Sequence, residues 1–268
     1  MVRRLVTALL LLALIVPAVL YGGIFYFLLV AFFIVTAAVE YVQMFEGVRF
    51  LPSRLITVGG TFVLLAVRGF YPSAGDWVFT SLILIAMTYH LYAYECGRHE
   101  AALDFVISLG AITYLGWIGG YMLELRALPQ GGWWVMIVFP VVWLTDSGAY
   151  MIGARYGTHK MLKRLSPKKS WEGFIAGVLI GTLYGGFFAY AYSKFGPLHV
   201  SIWQGLLLGL VLSSATTLGD LGESMLKRYA NAKDSGTFLP GHGGAFDRID
   251  SLIWAAVIGV IWIRLFLL

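Results

Sequence analysis

Residues 219–250 concentrate the chemistry of this chain. They begin Gly219-Asp220-Leu221-Gly222-Glu223-Ser224-Met225-Leu226-Lys227-Arg228 and pass through a polar segment carrying Lys233 and Asp234. They end His242-Gly243-Gly244-Ala245-Phe246-Asp247-Arg248-Ile249-Asp250. On a helix, Asp220, Glu223, Ser224, Lys227 and Arg228 fall at i, i+3, i+4, i+7 and i+8, so all five share one face. The acids then lie deeper and the bases at the rim. Carboxylates suit a hard cation and Lys or Arg suit phosphate, so the pattern reads as phosphate chemistry around a cation. A polar face packed on another polar helix is the competing reading. Gly236, Gly241, Gly243 and Gly244 let the backbone approach a phosphate and offer N–H groups to it, although many glycine-rich loops are only turns. Asp247 and Asp250 follow where the next helix starts. A helix cap accounts for one such Asp, but not for two flanking Arg248.

A second segment supplies more charge. Asp146 sits near the end of an apolar run, where a carboxylate needs a partner. Residues 155–170 carry Arg155, Lys160, Lys163, Arg164, Lys168 and Lys169, and Ser166-Pro167-Lys168-Lys169-Ser170-Trp171-Glu172-Gly173 opens the following apolar run. Lys168 and Lys169 near a helix N-terminus add side-chain charge to the positive dipole end. Taken alone, this loop also reads as a topogenic basic loop. Glu40, His90, Glu95 and Asp104 are isolated polar groups in or near the earlier apolar runs, and interhelical hydrogen bonding is the role expected of them.

The elements that position these residues must be membrane helices. The chain is 59% hydrophobic and 12% charged, against roughly 25% charged for a soluble domain. Its mean hydropathy is +0.81. At about 20 apolar residues per span, about nine spans are expected. They lie near 5–20, 22–44, 55–70, 77–96, 102–124, 131–154, 171–193, 201–226 and 249–267. The expected class is an all-α polytopic protein forming one membrane domain over 1–268. In it, 1–130 supply N-terminal helices and 131–268 the catalytic helices and loops. Arg3 and Arg4 before a Leu-rich run suit an uncleaved first helix or a cleavable signal. With the N-terminus inside, all of the 19 Lys and Arg residues except Arg68, Arg126, Lys194 and Arg264 face the cytoplasm. The positive-inside rule then gives an N-in, C-out protein in the cell membrane, with the reactive loops on the cytoplasmic side.

The formal net charge of +5 does not argue for nucleic acid; the placement of the basic residues suits lipid headgroups and phosphates. The single Cys96 rules out a disulfide framework within the chain or a cysteine-rich metal site. Gly173, Gly177, Gly181 and Gly185 make a small-residue groove on one helix, read either as packing within the chain or as a homodimer seam.

At these residues the sequence resembles the phosphatidate cytidylyltransferase (CDP-diacylglycerol synthase) family. The pattern Ser, Lys-Arg, Lys-Asp, His-Gly-Gly and Asp-Arg-x-Asp is met by Ser224, Lys227, Arg228, Lys233, Asp234, His242, Gly243, Gly244, Asp247, Arg248 and Asp250. The family's Ser-Pro-Lys-Lys-Thr-Trp-Glu-Gly segment is present with Ser170 for Thr, and Ala245 stands where a larger aliphatic is usual. The resemblance runs from Asp146 to Asp250, and the earlier spans match only in character. It implies transfer of CMP from CTP to phosphatidic acid with Mg²⁺, giving CDP-diacylglycerol and pyrophosphate. On that reading Asp220 and Asp247 bind metal, supported by Asp250 and Asp146. Lys227, Arg228, Lys168, Lys169 and Arg248 hold phosphates, and Ser166, Ser224 and His242 hydrogen-bond substrate. Lys233, Gly243 and Gly244 complete the substrate-binding set.

Two alternatives compete, one a related membrane lipid enzyme and one of a different class. Another CTP-dependent lipid kinase or a CDP-alcohol phosphotransferase would use similar groups, but the Asp-Gly-x2-Ala-Arg-type motif of the latter is absent. A cation transporter should show paired broken helices at the midplane, whereas these acids cluster near the rim beside cations.

Overall fold

The structure, a computed structural model, describes residues 13–236 and 243–267. Among them, seven helices are long and apolar enough to cross a bilayer: Gly23–Glu46, Pro72–Glu95, Ala101–Ala127, Gly131–Tyr156, Trp171–Lys194, Ile202–Tyr229 and Phe246–Phe266. Each corresponds to an expected span. The expected span at 55–70 is the shorter apolar helix Leu55–Phe70. The first half of the one at 5–20 lies outside the described residues, and the rest is helical.

The chain divides into two compact units. The described residues up to Glu124 form one with Leu226–Ile249; Leu125–Met225 form the other with the chain from Asp250 onward. The return of residues 226–249 to the first unit was not foreseen.

The first unit holds α1 (13–21), α2 (Gly23–Glu46), α3 (Gly60–Phe70), α4 (Gly75–Glu95) and α5 (Ala101–Ala111). A π-helical turn, Leu55–Gly59, leads into α3, and a second, Ile112–Ile118, extends α5. Leu64, Leu82 and Ile112 meet in its core, with Phe79 and Trp117 packed around them. Two of the isolated polar residues do local work here. Asp104 accepts from Leu51 N (2.8 Å) and from Arg98 Nε (2.8 Å), and His90 hydrogen-bonds Ser108 (3.2 Å). Glu95 is exposed. The short helix α6 (Tyr121–Ala127) leads out of this unit.

The second unit is built on α7 (Gly131–Tyr156), α8 (Trp171–Lys194) and α9 (Ile202–Ala215), which pack together as neighbours. The glycines of α8 are what allow this. A Cβ added at Gly177 would lie 2.9 Å from Ala149 Cβ, at Gly181 2.2 Å from Thr145 Oγ1, and at Gly185 2.4 Å from the Gly205 carbonyl. The groove is therefore filled by the chain's own helices, the intrachain one of the two readings the glycine spacing allowed. The outward face of α8 carries exposed Ile175, Leu179, Leu183 and Phe187, as a lipid-facing surface should.

Two features depart from a pure helix reading. The basic loop folds into an antiparallel hairpin of β1 (Lys160–Leu162) and β2 (Ser166–Ser170). The expected span at 201–226 is broken into α9 and α10 (Thr217–Tyr229) at Thr216. Ser213, Ser214 and Thr216 each donate to the carbonyl four residues back, at 2.7 Å in all three cases. Such back-bonding competes with the helix ladder and bends it. The last helix is α11 (Phe246–Phe266).

Candidate active site

In the second unit the break at Thr216 starts α10 with Gly219 and Asp220 against α11. A Cβ at Gly219 would stand 2.6 Å from the Asp250 carbonyl and 2.8 Å from the Trp254 ring, so only glycine permits this approach. It brings Asp220, Glu223 and Asp250 together, with one carboxylate oxygen from each lying within 4.8 Å of the others. Glu223 is 1% exposed and Asp250 7%, whereas Asp220 is only partly covered. Ser224 Oγ donates to Asp220 Oδ1 (3.3 Å), and Lys169 Nζ pairs with Asp220 Oδ2 at 2.5 Å. Three carboxylates this close repel unless a cation holds them, and three hard oxygen donors suit Mg²⁺. The donor chemistry therefore fits the divalent ion that the sequence implied.

Lys169 reaches Asp220 because of how its strand is anchored. Ser170 ends β2 and caps α8, its Oγ accepting from Gly173 N at 3.2 Å. Glu172, in the first turn of α8, accepts from Thr158 Oγ1 (2.7 Å) and from the backbone N–H of His159 (3.1 Å), and lies 2.6 Å from His159 Nδ1. It pins the turn that begins the hairpin, beyond any role as a dipole-favoured acid. Lys168 and the hairpin's other basic residues point to solvent, and Ser166 is half-buried.

In the first unit a second charged cluster forms around Asp247. Its Oδ1 takes Lys227 Nζ at 2.5 Å, and its Oδ2 accepts from Gly244 N (2.8 Å), Ser235 N (3.0 Å) and Ser235 Oγ (3.0 Å). Gly243 is in the left-handed region (φ 81°), and a Cβ there would lie 2.7 Å from Asp247 Oδ2. Lys227 is 8% exposed and does not sit at the aqueous rim as its place in the sequence suggested; its side chain is taken by Asp247. Arg228 is the exposed member of the pair and contacts the Ala232 carbonyl at 3.3 Å. Lys233 and Arg248 are also exposed.

Of the four expected metal ligands, the carboxylate group of the second unit contains Asp220 and Asp250. Asp247 belongs to the Lys227 cluster, and Asp146 is exposed on α7 outside that group. His242 lies outside the described residues. Sequence reasoning passed over two acids as site residues. Glu223 was placed on the right face but given no ligand role, although its i+3 spacing from Asp220 was the signal. Glu40 was read as an interhelical hydrogen-bonder, and nothing in its local sequence shows that it meets residues about 200 positions away.

The chain matches the model of the cytidylyltransferase family over residues 2–266. It is 34% identical over 256 residues to a phosphatidate cytidylyltransferase of Staphylococcus epidermidis, covering 94% of each chain. Its identity to the proteins of the same name from Staphylococcus haemolyticus and Staphylococcus aureus is 35% and 32%, each over 257 residues and 94% of each chain.

Proposed function

Because the chain belongs to the cytidylyltransferase family, we propose that it is a membrane-bound phosphatidate cytidylyltransferase, transferring CMP from CTP to phosphatidic acid. The observation that carries this reading is the convergence of Asp220, Glu223 and Asp250 beside Lys169. A polyanionic nucleotide attacked by an anionic lipid needs charge neutralised more than it needs a strong base. A phosphate-monoester oxygen of phosphatidic acid forms a bond to the α-phosphorus of CTP. The α–β P–O bond breaks, and its electron pair leaves with pyrophosphate. No proton need be removed from the nucleophile. Mg²⁺ held by the three carboxylates would neutralise phosphate oxygens and align the displacement. Lys169, already at Asp220, can bridge that group to a phosphate oxygen. Arg228, Arg248, Lys168 and Lys233 are exposed cations suited to further phosphate contacts.

The same reading makes the protein a multi-pass enzyme of the cell membrane with nine spans, N-terminus inside and C-terminus outside. The hairpin and the 229–247 segment would then lie on the cytoplasmic side, where CTP is. The distribution of Lys and Arg supports this orientation. Any self-association has to use a face other than the α8 glycines.

The test is direct. Purified protein in mixed micelles with Mg²⁺ should consume CTP and release pyrophosphate only when phosphatidic acid is present, with CDP-diacylglycerol accumulating in equal amount. CTP consumption without phosphatidic acid, or a product in which the lipid gains only a phosphoryl group, would sink the assignment.

A further inference from the structure

We infer that Glu40 is a positioning residue for the catalytic head of α11, acting as a helix cap supplied from a distant span; this rests on Asp247 and its neighbours belonging to the phosphate site. Glu40 lies in the last two turns of the apolar span α2 and is 4% exposed. A carboxylate there is costly and needs a full set of donors. It has them. Its Oε1 accepts from Ala245 N at 2.9 Å, and its Oε2 accepts from Phe246 N at 3.0 Å and from Ser235 Oγ at 3.0 Å.

Those donors have a common feature. Phe246 is the first residue of α11, and Ala245 precedes it. The first N–H groups of a helix have no partner within it and present positive partial charge. The usual remedy is a Ser, Thr, Asp or Asn at the cap position. Here that position is Ala245, which has no acceptor on its side chain. Glu40 provides it from α2, some 200 residues earlier in the chain. The loop is shaped to admit the carboxylate. A Cβ at Gly236 would lie 2.4 Å from Glu40 Oε1, and one at Gly244 2.4 Å from Oε2, so any larger residue would exclude it.

Ser235 connects the cap to the site. Its hydroxyl lies 3.0 Å from both Glu40 Oε2 and Asp247 Oδ2, and it accepts from Asp247 N at 3.3 Å. One hydroxyl proton serves two carboxylates, so the positions of Glu40 and Asp247 are set through a shared atom. Glu40 need touch neither substrate nor metal for this. It fixes where α11 begins and which way Asp247 points.

The test uses Glu40→Gln, Glu40→Ala and Ser235→Ala in the full-length protein. Glutamine can keep the two bonds made by Oε2, but its amide N–H₂ then faces Ala245 N–H. Hydrogen exchange, followed without CTP or metal, should speed up at residues 243–249 by roughly 10-fold in Glu40→Gln and more in Glu40→Ala. Per folded molecule, kcat should fall about 10- to 100-fold in Glu40→Gln. The Mg²⁺ concentration for half-activation should rise while KM for phosphatidic acid stays within about threefold. Ser235→Ala, which keeps the carboxylate, should move the same readouts less. Unchanged exchange at 243–249 in all three variants would overturn the cap. Faster exchange with wild-type kcat and Mg²⁺ activation would reduce Glu40 to a structural part. Should the wild-type protein make no CDP-diacylglycerol, the assigned reaction fails instead, and the exchange measurement still decides the cap.

Discussion

Two residue-scale results change what substitutions should do. The first concerns the three clustered carboxylates, where each isosteric change removes charge that would balance the proposed Mg²⁺ while keeping shape. Asp220→Asn, Glu223→Gln and Asp250→Asn should each lower turnover by at least about 100-fold, by the loss of one charge-assisted ligand. A Mg²⁺ titration of CDP-diacylglycerol formation checks this; a near-wild-type Glu223→Gln curve would remove Glu223 from the ligand set. Asp247→Asn should also abolish turnover, through the loss of its Lys227 and loop contacts. The second concerns Lys227. Because it is buried against Asp247, Lys227→Ala removes the cation beside a largely covered carboxylate that keeps only its loop hydrogen bonds, at a cost of up to roughly 3–5 kcal/mol. It should lower the amount of folded protein as well as activity, and the double variant Lys227→Met with Asp247→Asn should restore folding but not turnover. Arg228→Ala, at an exposed position, should fold normally and lose about 10- to 100-fold in kcat/KM. Thermal unfolding in detergent beside the kinetics separates the two cases.

At the scale of elements, the seven long spans were legible because each is a long apolar run, and hydropathy alone marks those. The Gly173 to Gly185 repeat was equally legible as a close-packing face, but not which helix fills it. The structure puts α7 and α9 there, so Gly181→Leu should overpack that contact. With a Cβ already 2.2 Å from Thr145 Oγ1 and 2.6 Å from Ser213 Cβ, the cost should be at least about 1–3 kcal/mol. A lowered unfolding temperature with unchanged oligomeric state is the expected result. Loss of a dimer with no loss of monomer stability would instead return the seam to the outside. The break at Thr216 was harder to see, since Ser213, Ser214 and Thr216 are individually tolerated in helices and bend one only in combination. The hairpin at 160–170 was missed for a related reason. Its strands are short and basic, without the apolar alternation that marks a strand.

For the whole molecule, the expected topology is open to a simple measurement. Cys96 is exposed and must first be replaced. In a Cys96→Ala background, single cysteines at Arg164 and Lys233 should react with an impermeant thiol reagent only from the cytoplasmic side. Labelling of either from outside intact cells would break the proposed orientation. Much of this protein follows from its sequence alone. Composition makes it a membrane protein, the sorting of Lys and Arg predicts an orientation, and the spaced acids, bases and glycines of 219–250 point to phosphate chemistry. These are properties of composition and of spacing along one helix, which need no fold to be read. Tertiary structure alone decides the partnerships. It joins Asp220 and Glu223 to Asp250, gives Asp247 to Lys227, and brings Glu40 from α2 to Ala245 and Phe246. A charge buried in an apolar protein must find its partner wherever the packing brings one, and sequence distance carries no information about where that is.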